Sequence, residues 1–260
     1  LRVEAGGRQR TAAAYVEDLF AVTPSVAITA GIRGDGWRNE SEDGLRATEG
    51  QLNPRLSLLW QVQALSFSAS AYSAFRAPTL NELYRGFRVG NVQTLPNAAL
   101  TSEELSGFEL GARAPHVRLT LFLMNVSDTI ANVTLSETSA LITRQRQNLG
   151  STRSIGAELD AEWRFGDWHT SAGLLLVDAE IRDGDLRGRR VPQVARSQVT
   201  AQAIWKRIGA QLRWSSRQFD DDRNEIPLDG YLTVDLTASH PITPALDLTF
   251  SVENITNEEI

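Results

Sequence analysis

Cysteine is absent from the 260 residues, so the chain has no disulfide, no thiolate metal site and no thiol nucleophile. That suits an oxidising compartment without requiring one. Lysine is almost absent too: Lys206 stands alone among arginines, a bias that codon usage explains. No stretch approaches the ~20 consecutive apolar residues of a membrane helix, and mean hydropathy is −0.24. A helical membrane protein is thereby excluded. A transmembrane barrel is not, because its lipid-facing and lumen-facing residues alternate and keep the average polar. An excess of positive charge is also missing. The net charge of −6 argues against a nucleic-acid partner, which requires basic stripes to neutralise phosphate. Residues 1–10 contain neither an apolar run nor a cleavage pattern and resemble the middle of a strand. The chain is therefore expected to be part of a longer product.

Helical periodicity is scarce, whereas period-two alternation recurs throughout. In residues 155–165, Ile155, Ala157, Leu159, Ala161, Trp163 and Phe165 share one face. Gly156, Glu158, Asp160, Glu162 and Arg164 share the other, giving an apolar wall backed by a charged one. The two aromatics at its end suit a strand leaving hydrocarbon for headgroups. Noisier versions predict strands at 11–22, 26–38, 52–61, 66–76, 103–113, 117–124, around Val177, and at 195–205, 209–218, 232–238 and 246–252.

Link lengths carry the second signal. Short links are expected at 23–25, 62–65, 114–116, 166–167, 206–208 and 241–244. Between them fall longer polar links at 39–50, 77–102, 135–140, 181–190 and 220–229. An antiparallel meander with every long link at one rim produces this alternation, as in outer-membrane barrels with short periplasmic turns and longer external loops. A secreted β-rich binding module or a passive porin shares the strand pattern, since alternation alone says only that one face is covered.

Four segments add a family resemblance. Ala74-Phe75-Arg76-Ala77-Pro78-Thr79-Leu80-Asn81-Glu82-Leu83-Tyr84 resembles a strand-to-loop signature of TonB-dependent outer-membrane receptors. Pro96-Asn97-Ala98-Ala99-Leu100-Thr101-Ser102-Glu103-Glu104, followed by Phe108-Glu109-Leu110-Gly111, is similar to the family's next conserved stretch, with Ala98 in place of its usual proline. Asn148-Leu149-Gly150 with Ser154-Ile155-Gly156-Ala157-Glu158 resembles its Asn-x-Gly and Gly-x-Glu segment. Val252-Glu253-Asn254-Ile255-Thr256-Asn257-Glu258-Glu259 resembles its penultimate strand.

The resemblance implies an all-β, antiparallel transmembrane β-barrel of about 22 strands around a plugged lumen. The present chain would supply about twelve of them, as one unit over residues 1–260. Strand parity makes these the tenth to the twenty-first, with the closing strand beyond Ile260. The plug, its TonB-contacting box and the first barrel half would then lie outside the chain. The resemblance also implies location in the bacterial outer membrane, contact with its lipid and lipopolysaccharide, and no cofactor. Import would use energy from the TonB complex. The cargo would be a small-molecule metal chelate, a ferric siderophore ahead of cobalamin by family frequency.

Enzymatic constellations are not evident. His116, His169 and His240 stand singly near expected turns, without an i, i+4 partner for a metal. Glu158, Asp160, Glu162 and Arg164 are expected to be lumen-facing, a hydrated wall rather than acid–base machinery. Asp220, Asp221 and Asp222 with Asn224 and Glu225 offer oxygen ligands for a hard cation, but lack calcium-loop spacing, so a solvated loop is the simpler account. The sequons at Asn125, Asn132 and Asn254 are short enough to arise by chance. The better candidate is the link at 77–102, expected to lack regular structure and so to bind or move. Arg76, Glu82, Tyr84, Arg85, Phe87 and Arg88 would meet ligand there, joined by Arg187, Arg189 and Arg190 from a later link. Cations beside aromatics suit anionic or aromatic chelates.

Overall fold

The computed structural model describes residues 6–42, 44–148 and 150–258; Leu149 and Glu259 of the motifs above lie outside them, as do residues 1–5. The chain runs through β1 (Gly7–Thr23), β2 (Val26–Ser41), β3 (Arg46–Val62) and β4 (Leu65–Arg76). A long link then carries α1 (Leu80–Tyr84), β5 (Phe87–Val89) and β6 (Val92–Leu95). Next come β7 (Glu103–Ala114) and β8 (Val117–Ser127), then a link holding β9 (Ile130–Glu137) and β10 (Ile142–Asn148). β11 (Ser151–Phe165), β12 (Trp168–Ile181), β13 (Ser197–Trp205) and β14 (Ile208–Ser215) follow. The short pair β15 (Gln218–Phe219) and β16 (Pro227–Leu228) precedes β17 (Tyr231–Thr243) and β18 (Leu246–Val252).

Among the described residues, twelve strands form one antiparallel sheet in the order β1-β2-β3-β4-β7-β8-β11-β12-β13-β14-β17-β18. Each strand pairs with its predecessor in this order, so the sheet is a pure meander. It is a partial barrel that does not close: β1 and β18 are paired on one side only. The register shows why the alternating sequence folds this way. Leu159 faces Leu119 on one neighbour and Leu174 on the other, while Asp160 faces Arg118 and Gly173. A slip of one residue would put every apolar side chain on the polar face.

The short links are all two-residue turns, closed by the pairs Thr23↔Val26, Val62↔Leu65, Ala114↔Val117, Phe165↔Trp168, Trp205↔Ile208 and Thr243↔Leu246. Gln63, Gly166 and Lys206 open three of them with positive φ, the backbone that lets so short a turn follow the strand twist. Aromatic rings gather just inside this rim. Trp60 lies 5.5 Å from Phe67, and Trp168 lies 6.3 Å from both Phe165 and Trp205. Lys206 Nζ sits 5.1 Å from the Trp205 ring. All these rings remain exposed.

The opposite rim departs from expectation. The link expected at 39–50 shrinks to residues 42–45, because β2 and β3 stay paired through Arg38↔Thr48 and Glu40↔Arg46. Polar residues obscure a strand where both faces are wet. The link at 77–102 has α1, β5 and β6 and is not structureless. The link expected at 135–140 is only the tip of the β9–β10 hairpin, and the whole connection spans residues 128–150. The link from 181 continues to Ser197, and that at 220–229 is braced by the β15–β16 pair. At the short-turn rim, β17 runs on through Pro241 by a register shift, moving its turn to Pro244 and Ala245.

Two separate links unite above the sheet. β6 pairs with β10 in parallel, giving a four-stranded layer in the order β5-β6-β10-β9. The wall beneath also forks. Pairing between β3 and β4 stops at Arg55↔Tyr72, beside Pro54, which has no N–H to donate. Above that point Glu49 accepts from Ser102 Oγ at 3.0 Å, Gln51 donates to Glu104, and Trp37 stacks on Phe75 at 4.7 Å.

Candidate functional site

The loop-bearing rim is held by a small core of its own. Trp37, Asn39, Pro78, Leu83 and Leu100 are all buried there, in a sheet whose larger apolar side chains are otherwise mostly exposed. Trp37 and Asn39 occupy the same face of β2 as Arg33 and Asp35, the polar face. The link 77–102 therefore folds over the inner mouth of the curved sheet. Gln9 Nε2 ties it down by donating to Asn39 Oδ1 at 2.9 Å and to the Pro78 carbonyl at 3.3 Å. Tyr84 lies close against Gly7, where a side chain would crowd it.

Arg76 and Glu82 do come together, but as fasteners. Arg76 Nη1 donates to both Glu82 oxygens, at 3.1 and 3.0 Å, and its Nε donates to Glu103. Glu82 completes a capping box on α1: Thr79 N donates to Glu82 Oε2 at 2.8 Å, and Glu82 N donates back to Thr79 Oγ1 at 3.3 Å. Burial pushes the Glu82 carboxyl up, but the hydrogen bonds from Thr79 and Arg76 outweigh it and hold it below its ordinary value. These two residues fix where the link sits. Arg85 serves as the C-cap of α1, its N–H donating to the Asn81 carbonyl at 3.1 Å. Phe87 is exposed, with the Arg146 guanidinium 5.4 Å from its ring, and Arg88 bonds back to Gly90 within the same tip.

The later links converge on the same cap. Asn224 Oδ1 accepts from Arg190 N at 2.7 Å, and Asn224 Nδ2 donates to the Arg190 carbonyl at 3.0 Å. Thr134 Oγ1 donates to Asp222 at 3.2 Å, tying the β9 edge to the link after β14. Arg187 and Arg189 are exposed, while Arg190 is half-buried with its guanidinium 5.6 Å from the Phe219 ring. The acidic run is no cation cage. Asp221 accepts from the backbone N–H groups of Arg223, Glu225 and Ile226, at 3.0, 2.9 and 2.8 Å. Burial pushes its carboxyl up, yet those three donors win and hold it below its ordinary value. No group of three metal-ligating side chains occurs among the described residues.

Glu158, Asp160, Glu162 and Arg164 share the polar face near the other rim. Arg118 pairs with Asp160 at 3.2 Å, while Arg164 and His169 both reach Glu162, at 3.2 and 2.9 Å. Arg118, Asp160, Glu162 and Arg164 line an open hollow of about 610 Å³ with Arg113 and Thr200. The Asp160 and Glu162 carboxylates are thus matched by cations and stay about half exposed.

Arg144, Arg146, Arg217 and Phe219 escaped the sequence reading. The spacing Arg144-x-Arg146 on β10 does place that pair on one strand face, and Arg217 directly precedes β15. The signal was legible only once those stretches were known to be strands.

Comparison with known proteins gives one consistent result. The family described as "TonB dependent receptor-like, beta-barrel" matches residues 2–255. Among solved structures, the copper transporter OprC superposes with a TM-score of 0.78 at 15% identity, over 97% of this chain and 42% of that one. The ferric yersiniabactin uptake receptor FyuA from Yersinia pestis gives 0.74 at 18% identity, over 97% and 41%. The siderophore receptor PiuA from Acinetobacter baumannii gives 0.73 at 19% identity, over 97% and 40%. The chain thus spans about two fifths of the length of the solved structures it matches.

Proposed function

This chain belongs to the TonB-dependent receptor β-barrel family, a family of transport receptors and not enzymes, and from that premise we propose that it is the ligand-receiving barrel wall of an outer-membrane importer. The single observation that carries the reading is the asymmetry of the two rims. Six links are two-residue turns, and the long links at the other end merge into one hydrogen-bonded cap over the polar face. A wall with an apolar outer face and a polar lumen suits a bilayer, and a structured cap suits selection of a solute at the mouth.

On this reading the long-link rim faces the outside and the aromatic rim faces the periplasm, where indole and phenyl rings settle at headgroup depth. The cargo is a metal chelate, a ferric siderophore before cobalamin. Its release inward is driven through the TonB complex, acting on a plug beyond this chain. The rim residues Tyr84, Arg85, Phe87, Arg88, Arg187, Arg189 and Arg190 remain candidates for ligand contact, whereas Arg76 and Glu82 support the cap. Growth of a deletion strain on a panel of iron chelates and cobalamin, with uptake assayed before and after collapse of the inner-membrane gradient, tests the reading. The expected result is loss of one chelate's energy-dependent uptake; unchanged uptake of every chelate would refute it.

A further inference from the structure

The apolar face of the sheet carries one charge in a row that is otherwise apolar. Asp18 on β1 faces Ala30, and the register continues through Leu56, Ala71 and Phe108 to Leu123. Along β1 itself, Val16 and Phe20 flank it on the same face. Asp18 stands five residues from Thr23, where the β1–β2 turn begins. At about 3.4 Å per residue and a tilt of about 40°, that is roughly 13 Å above the turn, near the middle of a ~25 Å apolar band. Leu121 on β8, four residues past the turn-closing Val117, has a similar height.

Nothing on the paired side of β1 answers this carboxylate. Ala30 is flanked there by Ile28 and Ile32, while Arg33 lies on the opposite face and pairs with Asp35 at 2.8 Å. Asp18 joins none of the ion pairs among the described residues; its Oδ1 accepts from the adjacent Leu19 N–H at 2.9 Å. Charges among acyl chains are costly, and where they occur they pair with an opposite charge. The open edge of β1 is the one side left. β1 is paired with β2 alone, and a strand edge in a bilayer has to be hydrogen-bonded to another strand. Directly opposed residues on paired strands lie about 5 Å apart at Cβ, within reach of a carboxylate and a basic side chain. A second membrane protein laid against the outer face could match the charge but would leave the strand edge open.

We propose that Asp18 is half of an ion pair within the apolar band, and that the strand adding to the open edge of β1 presents an arginine or lysine opposite it. That strand belongs to the same barrel and carries apolar residues two positions either side of the cation, facing Val16 and Phe20. The pair sets its register. A slip of two residues would leave both charges unmatched in hydrocarbon, and a slip of one would turn the cation into the lumen. The inference rests on the bilayer reading of the apolar face and adds to it an interface with a partner of stated chemistry.

Urea unfolding of the full-length receptor in vesicles separates the outcomes. With the pair present, Asp18→Leu and Asp18→Asn each leave a cation unmatched in lipid. Both are expected to lower the folded-to-unfolded ratio by about a hundredfold. An unmatched carboxylate gives the opposite sign: Asp18→Leu would stabilise the barrel, and that result would overturn the proposal. Asp18→Asn as stable as wild type would overturn it too. Cross-linking locates the opposing position, with Asp18→Cys oxidised against single cysteines placed along the lipid face of the neighbouring strand. The residue native to the cross-linking position is expected to be Arg or Lys. Replacing it with Asp is expected to restore most of the stability lost by Asp18→Arg. An apolar residue there, or loss of a co-purifying protein in place of barrel stability, would refute the pair. Leu121→Asp is the control for the bilayer itself. If it costs nothing, the apolar face does not stand in hydrocarbon and the membrane reading fails. If it destabilises while Asp18→Leu stabilises, only the ion pair is lost.

Discussion

Phe122 covers Gly156, which it faces directly across the β8–β11 ladder. A Cβ at Gly156 would run into the edge of that ring and into the carbonyl oxygen of Leu176 on the other neighbour. The ring could shift, but the backbone carbonyl is fixed by the ladder. Tyr72 covers Gly107 in the same way, its hydroxyl donating to Glu109 at 2.6 Å. In both pairs a glycine creates the hollow and an aromatic ring fills it, locking register on the polar face.

Gly156→Ala is therefore expected to destabilise the barrel by about 1–3 kcal/mol, the usual cost of overpacking. Gly36→Ala is the matched control, since its new methyl would meet nothing nearer than 4.0 Å. Urea unfolding of the full-length protein in lipid vesicles distinguishes them. Equal midpoints for the two variants would show that the Phe122–Gly156 fit does not constrain the wall.

Arg76 joins α1 to the start of β7, through Glu82 and Glu103. Its side chain is 42% exposed, so solvent screens these pairs and their worth is modest. Arg76→Met should cost only about 1 kcal/mol globally. Its larger effect is local. Limited proteolysis within residues 85–91 is expected to accelerate severalfold, because α1 then loses its ion-pair link to the start of β7. A cleavage pattern identical to wild type would mean that Leu83 and Leu100 suffice.

Acid should loosen the same link. The Glu82 carboxyl is lowered in the folded state, so its contribution is fully present above the ordinary carboxylate value of 4.5 and is lost as pH falls through the lower native one. Hydrogen exchange at residues 79–85 is therefore expected to be flat above that value, once corrected for intrinsic rates, and to speed up below it. Glu82→Gln should remove the pH step and leave exchange uniformly faster. A step that survives in Glu82→Gln would assign the titration elsewhere.

The wall was far more legible in the sequence than the cap. Alternation in residues 155–165 marks apolar and polar faces locally, and a two-residue turn such as Gly166-Asp167 is visible without its neighbours. The cap is non-local. β6 pairs with β10 across some fifty residues of chain, and neither segment is long enough to show a period. For Arg76 the sequence reveals the charge but not its partner Glu103, 27 positions on. Phe219 went unnoticed for the converse reason: the guanidinium groups that give it meaning come from Arg190 and Arg217, one of them on another link.

The two faces of one strand should respond oppositely to charge if the wall stands in a bilayer. Leu121 on β8 faces Leu110 and Ala157, on the apolar side, and is exposed. Its neighbour Thr120 faces Gly111 and Glu158 on the polar side. Leu121→Arg would put a guanidinium among acyl chains, at an expected cost of about 2–4 kcal/mol near mid-depth. Thr120→Arg would put the same group in water beside Glu158, and is expected to stay within about 0.5 kcal/mol of wild type. At the short-turn rim, Trp168→Arg should cost less than Leu121→Arg, because headgroups solvate a cation there. Folding of full-length variants into vesicles, followed by urea titration, gives all three values. The order Leu121→Arg, then Trp168→Arg, then Thr120→Arg is the signature of hydrocarbon against the apolar face. In a water-soluble module no depth dependence would separate Leu121 from Trp168, since both side chains would already be solvated.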